Sequence, residues 1–391
     1  PPPPPPPPPP PAITFQPGDF SQNKRSSDGK IKLSNGLSAK DIATKNQKVP
    51  LHAGKESNDK FHIDPDGAAV VPGPDGGWYY VSNAEEPSVG SDWKHGGVGS
   101  IQFDKSGNVV GYKRIASNTI NNCGGGKTPW NSWITCEEAD HGRIFQTDPK
   151  GNKEMRVTAL GNNGWYESFA FDDKVDPPRF FVTRDAEKGF LTRFTPNEQG
   201  MECYNKMNDG ERWCTLEHGS LDYLLISGGE SGTFEWTEDK RAAEQNARAY
   251  YWFNEGIDVS NGRLYFTSKK LKRLVILNLR DGTYTYHSTV KGAFNHQPDQ
   301  VARLLENDHN SILYFCEDGG DDPGVHGRNN LGKYFTILYG QYGYEEETTG
   351  LAFSIDSMHM YISFQNTGRI YDVTRDDGYP FSGQTLDIKY H

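Results

Sequence analysis

From about residue 62 onward, aromatic and β-branched residues alternate with polar ones in short runs that stop at Gly, Asn or Asp. That is the period-2 signature of half-buried strands joined by turns. One arrangement recurs: an aromatic strand, a polar exit, and a second strand closing on a turn. The first strands read GGWYYVSN, NSWITCEE, RFFVTRD, GRLYFTSKK, SILYFCEDGG and HMYISFQNTG; their partners read GSIQFDKSG, GRIFQTDPKG, GFLTRFTPNEQG, KRLVILNLRDG, GKYFTILYG and GRIYDVTRDDG. Only one stretch, from Thr237, reads as an amphipathic helix. It lies in an insertion at about 198–248 that also holds Cys203 and Cys214. Repetition at a spacing near fifty residues predicts an all-β fold, a six-bladed β-propeller. A pair of β-sandwiches would not produce so regular a unit.

Each unit also carries a short apolar strand upstream, and an acidic residue stands before most of them. Asp66 precedes GAAVV, Glu167 precedes SFAF, Glu255 precedes GIDV, Asp299 precedes QVAR, and Glu347 precedes TTGLAF. In a propeller the innermost strands line the central channel, so their starts form a ring at one mouth. Five carboxylates are expected there. The second unit carries Cys123 followed by three glycines at the matching place. Like charges confined in one cavity would repel and take up protons, so the ring makes physical sense around cations. Many hard oxygen ligands favour Ca²⁺, and a thiolate at one edge suits a softer ion such as iron or zinc. The polar exits Asn83, Glu85, Glu137, Glu138, Glu317 and Asp318 are candidates for further ligands.

Composition narrows the partners. Among 391 residues the formal charge is −11, which argues against a nucleic-acid partner and leaves cations as the natural counter-charge. No run approaches the roughly 20 apolar residues of a membrane helix. With five cysteines, not all can pair; Cys203 and Cys214 suit a local disulfide and an oxidising compartment. Eleven prolines open the sequence, and polyproline II is the regular conformation open to such a run. The expected organisation is therefore a polyproline II rod at 1–11, an extended approach segment at 12–60, and the propeller at 61–391. In secreted proteins such prolines often carry hydroxyl groups and O-glycans.

With the ring assembled, the chain resembles the PhoX-type alkaline phosphatases from about residue 60 onward. The specific segment is CysGlyGlyGlyLysThrProTrp at 123–130 with TrpIleThrCysGluGlu at 133–138. AsnAlaGlu at 83–85, TyrGluSer at 166–168, AsnGluGly at 254–256, ProAspGln at 298–300, CysGluAspGly at 316–319 and GlnAsnThrGly at 365–368 are similar to further family elements. The resemblance implies a secreted six-bladed propeller with Ca²⁺ and Fe³⁺ at the channel mouth. It implies Cys123 as an iron ligand, and Asn83, Glu85, Glu138, Glu167 and Glu255 in the metal cluster. Three positions depart from the family: Ala84 and Tyr166 replace histidines, and Phe253 stands where an arginine would contact phosphate. Lys127, Lys269 and Lys270 are the candidates to restore positive charge.

Two functions from different classes follow. One is a metal-dependent phosphomonoesterase, with Cys123, Glu167, Glu255 and Lys127 as its catalytic set and a phosphomonoester as substrate. Its metal-ligand candidates are Asn83, Glu85, Cys123, Glu138, Glu167, Glu255, Asp299, Glu317, Asp318 and Glu347. The other is an extracellular structural glycoprotein of a fibre or matrix, whose proline rod joins copies of itself or carries glycans. A lactonase-like hydrolase with a single calcium would share the acidic ring but would not account for Cys123.

Overall fold

The structure is a computed structural model and describes residues 16–17, 26–87, 95–290, 294–304, 312–320, 322–340, 346–382 and 389–390. The proline run 1–11 lies outside them, so the expected rod does too.

Strands dominate, as the alternation requires. Pro65–Pro72, Trp78–Ala84, Gly96–Phe103 and Val109–Thr119 form one four-stranded antiparallel sheet; Asn122–Lys127, Trp133–Glu137, Arg143–Thr147 and Arg156–Asn162 form the next. A nine-stranded sheet follows. It runs out from Tyr166–Asp172 through Arg179–Arg184 and Thr192–Pro196 and back to Asn254–Ser260 through Thr283–Ser288, Arg273–Asn278 and Arg263–Ser268. Gly219–Gly228 and Ser231–Thr237, from the insertion, join its two halves at the rim. Gln297–Arg303 and Thr348–Phe353 begin the last two large sheets.

The six strands that begin these units are neighbours in a closed circle. Pro65–Pro72 lies beside Asn122–Lys127, which lies beside Tyr166–Asp172, and so on through Asn254–Ser260, Gln297–Arg303 and Thr348–Phe353 back to Pro65–Pro72. The sheets are thus arranged like a propeller around a central channel. Six apolar clusters fill the wedges between neighbouring units, with the largest aromatics, such as Trp78, Trp133 and Tyr361, fully buried. Between the first and last units, the Trp78 indole donates to Tyr361 Oη at 3.0 Å and Tyr80 donates to the Gly350 carbonyl at 2.8 Å.

Closure comes from the segment read above as an approach. Leu37–Thr44 pairs with Arg369–Arg375 as the outer strand of the last sheet, and Ile31–Leu33 pairs with Tyr334–Gly340 in the sheet before it. These pairings join positions more than 300 residues apart and convert two edges into paired strands. Cys203 and Cys214 form a disulfide between the helix Glu198–Tyr204 and the short turn Arg212–Glu217. Among the described residues no helix is long and apolar enough to cross a membrane.

Candidate metal centre

Every inner strand has a β-bulge at the same height. Pairing shifts between Pro65 and Ala68, Asn122 and Gly125, Tyr166 and Phe169, Asn254 and Ile257, Pro298 and Val301, and Thr349 and Ala352. A bulge leaves an extra residue unpaired and re-aims its side chain. The residues so placed are Asp66, Cys123, Glu167, Glu255 and Asp299, and the backbones crowd closely beside them. A Cβ on Gly67 would lie 2.7 Å from Gly124 Cα, and one on Gly124 would lie 2.4 Å from Glu167 Oε1. Glycine after Cys123 is therefore a condition for the ring to close.

The sixth place differs from expectation. Counted back from the Gln365 exit it falls to Thr349, which pairs with Ser363 so that the bulge here lies one residue later, and whose hydroxyl donates to the Pro65 carbonyl at 2.9 Å. Glu347 enters two residues earlier, bridging to Asp318, although its carboxyl still faces Asp318, Asp299, Asp66 and Glu85. The pattern of acids before apolar strands could not show this shift, because a threonine carries no signal of its own.

A second tier sits above the first, contributed by the residue at or just past the end of each second strand: Glu85, Glu138, Asp185, Lys269, Asp318 and Gln365. Asp185, Lys269 and Gln365 were absent from the ligand candidates. The signal was there, since each is the polar exit of a quoted strand. Three groups of donor atoms lie within 4.8 Å of one another: Asp66 with Glu85 and Cys123, Cys123 with Glu138 and Glu167, and Glu167 with Glu255 and Asp299. Cys123 and Glu167 are shared, so the three groups form one continuous cluster.

Four other expectations are corrected. The Asn83 amide donates to the Cys123 and Gly124 carbonyls at 2.7 and 2.6 Å, and its oxygen accepts the Trp133 indole N–H at 2.9 Å. Thr183 and Thr267, at the equivalent place in later units, likewise donate to the carbonyls of Glu255 and Asp299, both at 2.7 Å. Asn83 is thus one of a set of buttresses, each holding the next unit's bulge. Glu317 turns away from the channel and accepts from His296 N at 2.5 Å, Gly324 N at 2.9 Å and His326 Nε2 at 2.8 Å. Glu137 similarly accepts from the backbone of Ile120 and Arg143. Adjacent strand residues face opposite sides, so only Asp318 and Glu138 of these two pairs reach the mouth. Lys127 ends its strand four residues beyond Cys123, about 13 Å farther along the channel. There it lines a cavity of about 440 Å³ with Asp258 and Arg303.

The electrostatics are those of a buried acid cluster. Burial, reinforced by neighbouring carboxylates, pushes Asp66, Glu138, Glu167, Glu255 and Glu347 well above the usual carboxylate range. Burial also raises Glu85 and pushes Asp299 up to about 7, with Lys269 opposing the rise at Asp299. The Cys123 thiol is pushed well above its usual value by burial and then by Asp66, Glu167, Glu85 and Glu138. Lys269 lies 2.8 Å from Glu255, 3.1 Å from Asp318 and 3.3 Å from Asp185. Burial works against its charge, but these carboxylates outweigh it. Asp66 Oδ2, Glu167 Oε2 and Asp299 Oδ2 are buried with no hydrogen-bond partner. Orphaned carboxylate oxygens on adjoining strands, beside a thiol, fit a donor set for metal ions.

Residues 34–180 match the sequence profile of the family described as alkaline phosphatase PhoX. The matched span holds Glu85, Cys123, Glu138 and Glu167. Among solved structures, Pseudomonas fluorescens PhoX in complex with vanadate, a transition state analogue, aligns with a TM-score of 0.71 at 15% identity, covering 91% of this chain and 97% of that one. The chain resembles the PhoX-type alkaline phosphatases. The likeness to the Pseudomonas structure, at that identity, is one of fold, and it extends over nearly the whole of both chains. Two further structures align less closely. They are a virginiamycin B lyase from Staphylococcus aureus with quinupristin (TM-score 0.44, 13% identity, 86% of this chain and 99% of that one) and the PQQ domain of a pyranose dehydrogenase from Coprinopsis cinerea (0.46, 11%, 90% and 100%). No curated protein matches the chain. The family departures have clear local settings. Ala84 is fully buried, and the Tyr166 hydroxyl donates to the Asn162 carbonyl at 2.9 Å. Phe253 adopts a left-handed backbone, φ 52°, and its carbonyl accepts Lys269 N–H at 2.9 Å.

Proposed function

We propose that the chain is a six-bladed, extracellular, metal-dependent phosphomonoesterase whose centre is the two-tiered mouth. The observation that carries this reading is the convergence of Asp66, Cys123, Glu167, Glu255 and Asp299 from five different inner strands, with three of their oxygens buried and unpartnered. Ca²⁺ suits the oxygen donors, and Fe³⁺ suits the edge at Cys123. Bound there, such ions would polarise a phosphoryl group and offset the charge that develops on its oxygens.

The chain's own groups supply the frame. Gln300 donates to Asp66 Oδ1 at 2.7 Å and in turn accepts Gly350 N–H at 2.9 Å, which fixes one carboxylate edge and leaves Oδ2 for a ligand. Gln365 and Asn121 hold the two oxygens of Glu85 at 2.5 and 3.0 Å. Asn83, Thr183 and Thr267 fix the bulges. Lys269 contributes positive charge at the same mouth, whereas Lys127, at the far end of its strand, is left without a role in the chemistry. The Cys203–Cys214 disulfide supports an oxidising compartment.

Hydrolysis of a chromogenic phosphomonoester by the metal-loaded protein tests this reading. Turnover that is abolished by chelation and lost in Glu167→Gln is expected; a fully loaded protein without turnover would overturn the assignment.

A further inference from the structure

In the upper tier Lys269 is the one cation among Glu85, Glu138, Asp185, Asp318 and Gln365. Its ammonium is met by carboxylates of three successive units: Asp185 from the unit before, Glu255 from its own, and Asp318 from the unit after. All three metal-competent groups among the described residues include Cys123 or Glu167, and none contains Asp185 or Asp318. The mouth is therefore divided. One side gathers Asp66, Glu85, Cys123, Glu138 and Glu167, the other gathers Asp185 and Asp318 around an ammonium, and Glu255 stands at the boundary, in a donor group with Glu167 and Asp299 and 2.8 Å from Lys269. The backbone anchors the base of that side chain, because Lys269 N–H is tied to the Phe253 carbonyl two residues ahead of Glu255. A lysine has no lone pair to offer a metal, so it excludes an ion from its place by both charge and volume.

We propose that Lys269 is a built-in cation filling one ion position of the mouth, so that metal is confined to the side containing Cys123 and Glu167. This rests on the reading of the mouth as a metal centre. Without the ammonium, Asp185, Glu255 and Asp318 would present several hard oxygens around a vacated space, the kind of donor set that takes Ca²⁺. The carboxylate count alone therefore overstates the number of ions the chain binds.

Calorimetric Ca²⁺ titration of the chelator-stripped full chain tests this, comparing the wild type with Lys269→Ala and Lys269→Arg. One additional Ca²⁺ per chain in Lys269→Ala, and the wild-type number in Lys269→Arg, are expected. Equal stoichiometry in Lys269→Ala and the wild type, both binding, overturns the inference and leaves the metal centre standing. Absence of binding in every form removes the metal centre and the inference with it. Should Lys269→Ala unfold in chelator, recovery of its circular dichroism on adding Ca²⁺ supports the proposal. Failure to recover, with Lys269→Arg folded throughout, overturns it.

Discussion

Stripping the mouth of cations should reverse the way the protein responds to pH. Asp299 is the group for which the magnitude can be worked. Buried, it is held at about 7 against an ordinary 3.8, so ionising it in place costs about 4 kcal/mol, at about 1.4 kcal/mol per pH unit. The sign follows from proton linkage. Between those two values the folded chain retains a proton that the unfolded chain has released, so stability falls as pH rises and the loss is complete above about 7. Asp66, Glu138, Glu167, Glu255 and Glu347 are displaced in the same direction, which extends the decline to higher pH. For a chain of this length about 4 kcal/mol corresponds to a fall of about 5 °C in Tm. With Ca²⁺ saturating, the same carboxylates must be ionised to bind, and stability should instead rise with pH. Thermal melts from pH 4 to pH 8, in chelator and in Ca²⁺, read the effect directly. Equal slopes in the two conditions would refute the reasoning.

Three further outcomes separate frame from ligand. Asn83→Ala strips the Cys123 and Gly124 carbonyls and the Trp133 N–H of their partner, and should cost about 3 kcal/mol in denaturant melts while weakening metal affinity. Glu317→Ala, which orphans His326 Nε2 and two backbone N–H groups, should destabilise by about 2 to 4 kcal/mol yet leave the bound-metal count unchanged by elemental analysis. Reducing Cys203–Cys214, which encloses a sequence separation of 11, should cost about 2 to 3 kcal/mol by differential scanning calorimetry, again with no metal lost.

What the sequence disclosed, and what it withheld, divides along physical lines. Asp66, Cys123, Glu167, Glu255 and Asp299 were legible because a repeating strand pattern places equivalent starts on one circle. Orientation was harder. Glu137 and Glu138, or Glu317 and Asp318, are neighbours of the same chemistry on opposite faces, and only the register of the sheet says which one reaches the mouth. Asn83 lay close enough to the ring to resemble a ligand, but a buried amide with three partners is a buttress. Lys269 was legible only as a candidate positive charge, because nothing local announces Asp185 and Asp318 on either side. Lys127 was misplaced by about 13 Å because proximity in sequence to Cys123 becomes distance along an extended strand. The closing strand Leu37–Thr44 was hidden for another reason: its partner lies at the other end of the chain, and such pairing leaves no local trace.

The central claim is that these side chains stay together because they grip cations. Elemental analysis of the natively purified protein, alongside Glu167→Ala, tests it most directly, since Glu167 belongs to two of the three donor groups. The account predicts calcium, with iron, in the wild type and the loss of metal in the variant. Wild-type protein that carries no metal and takes up no Ca²⁺ on titration would contradict it.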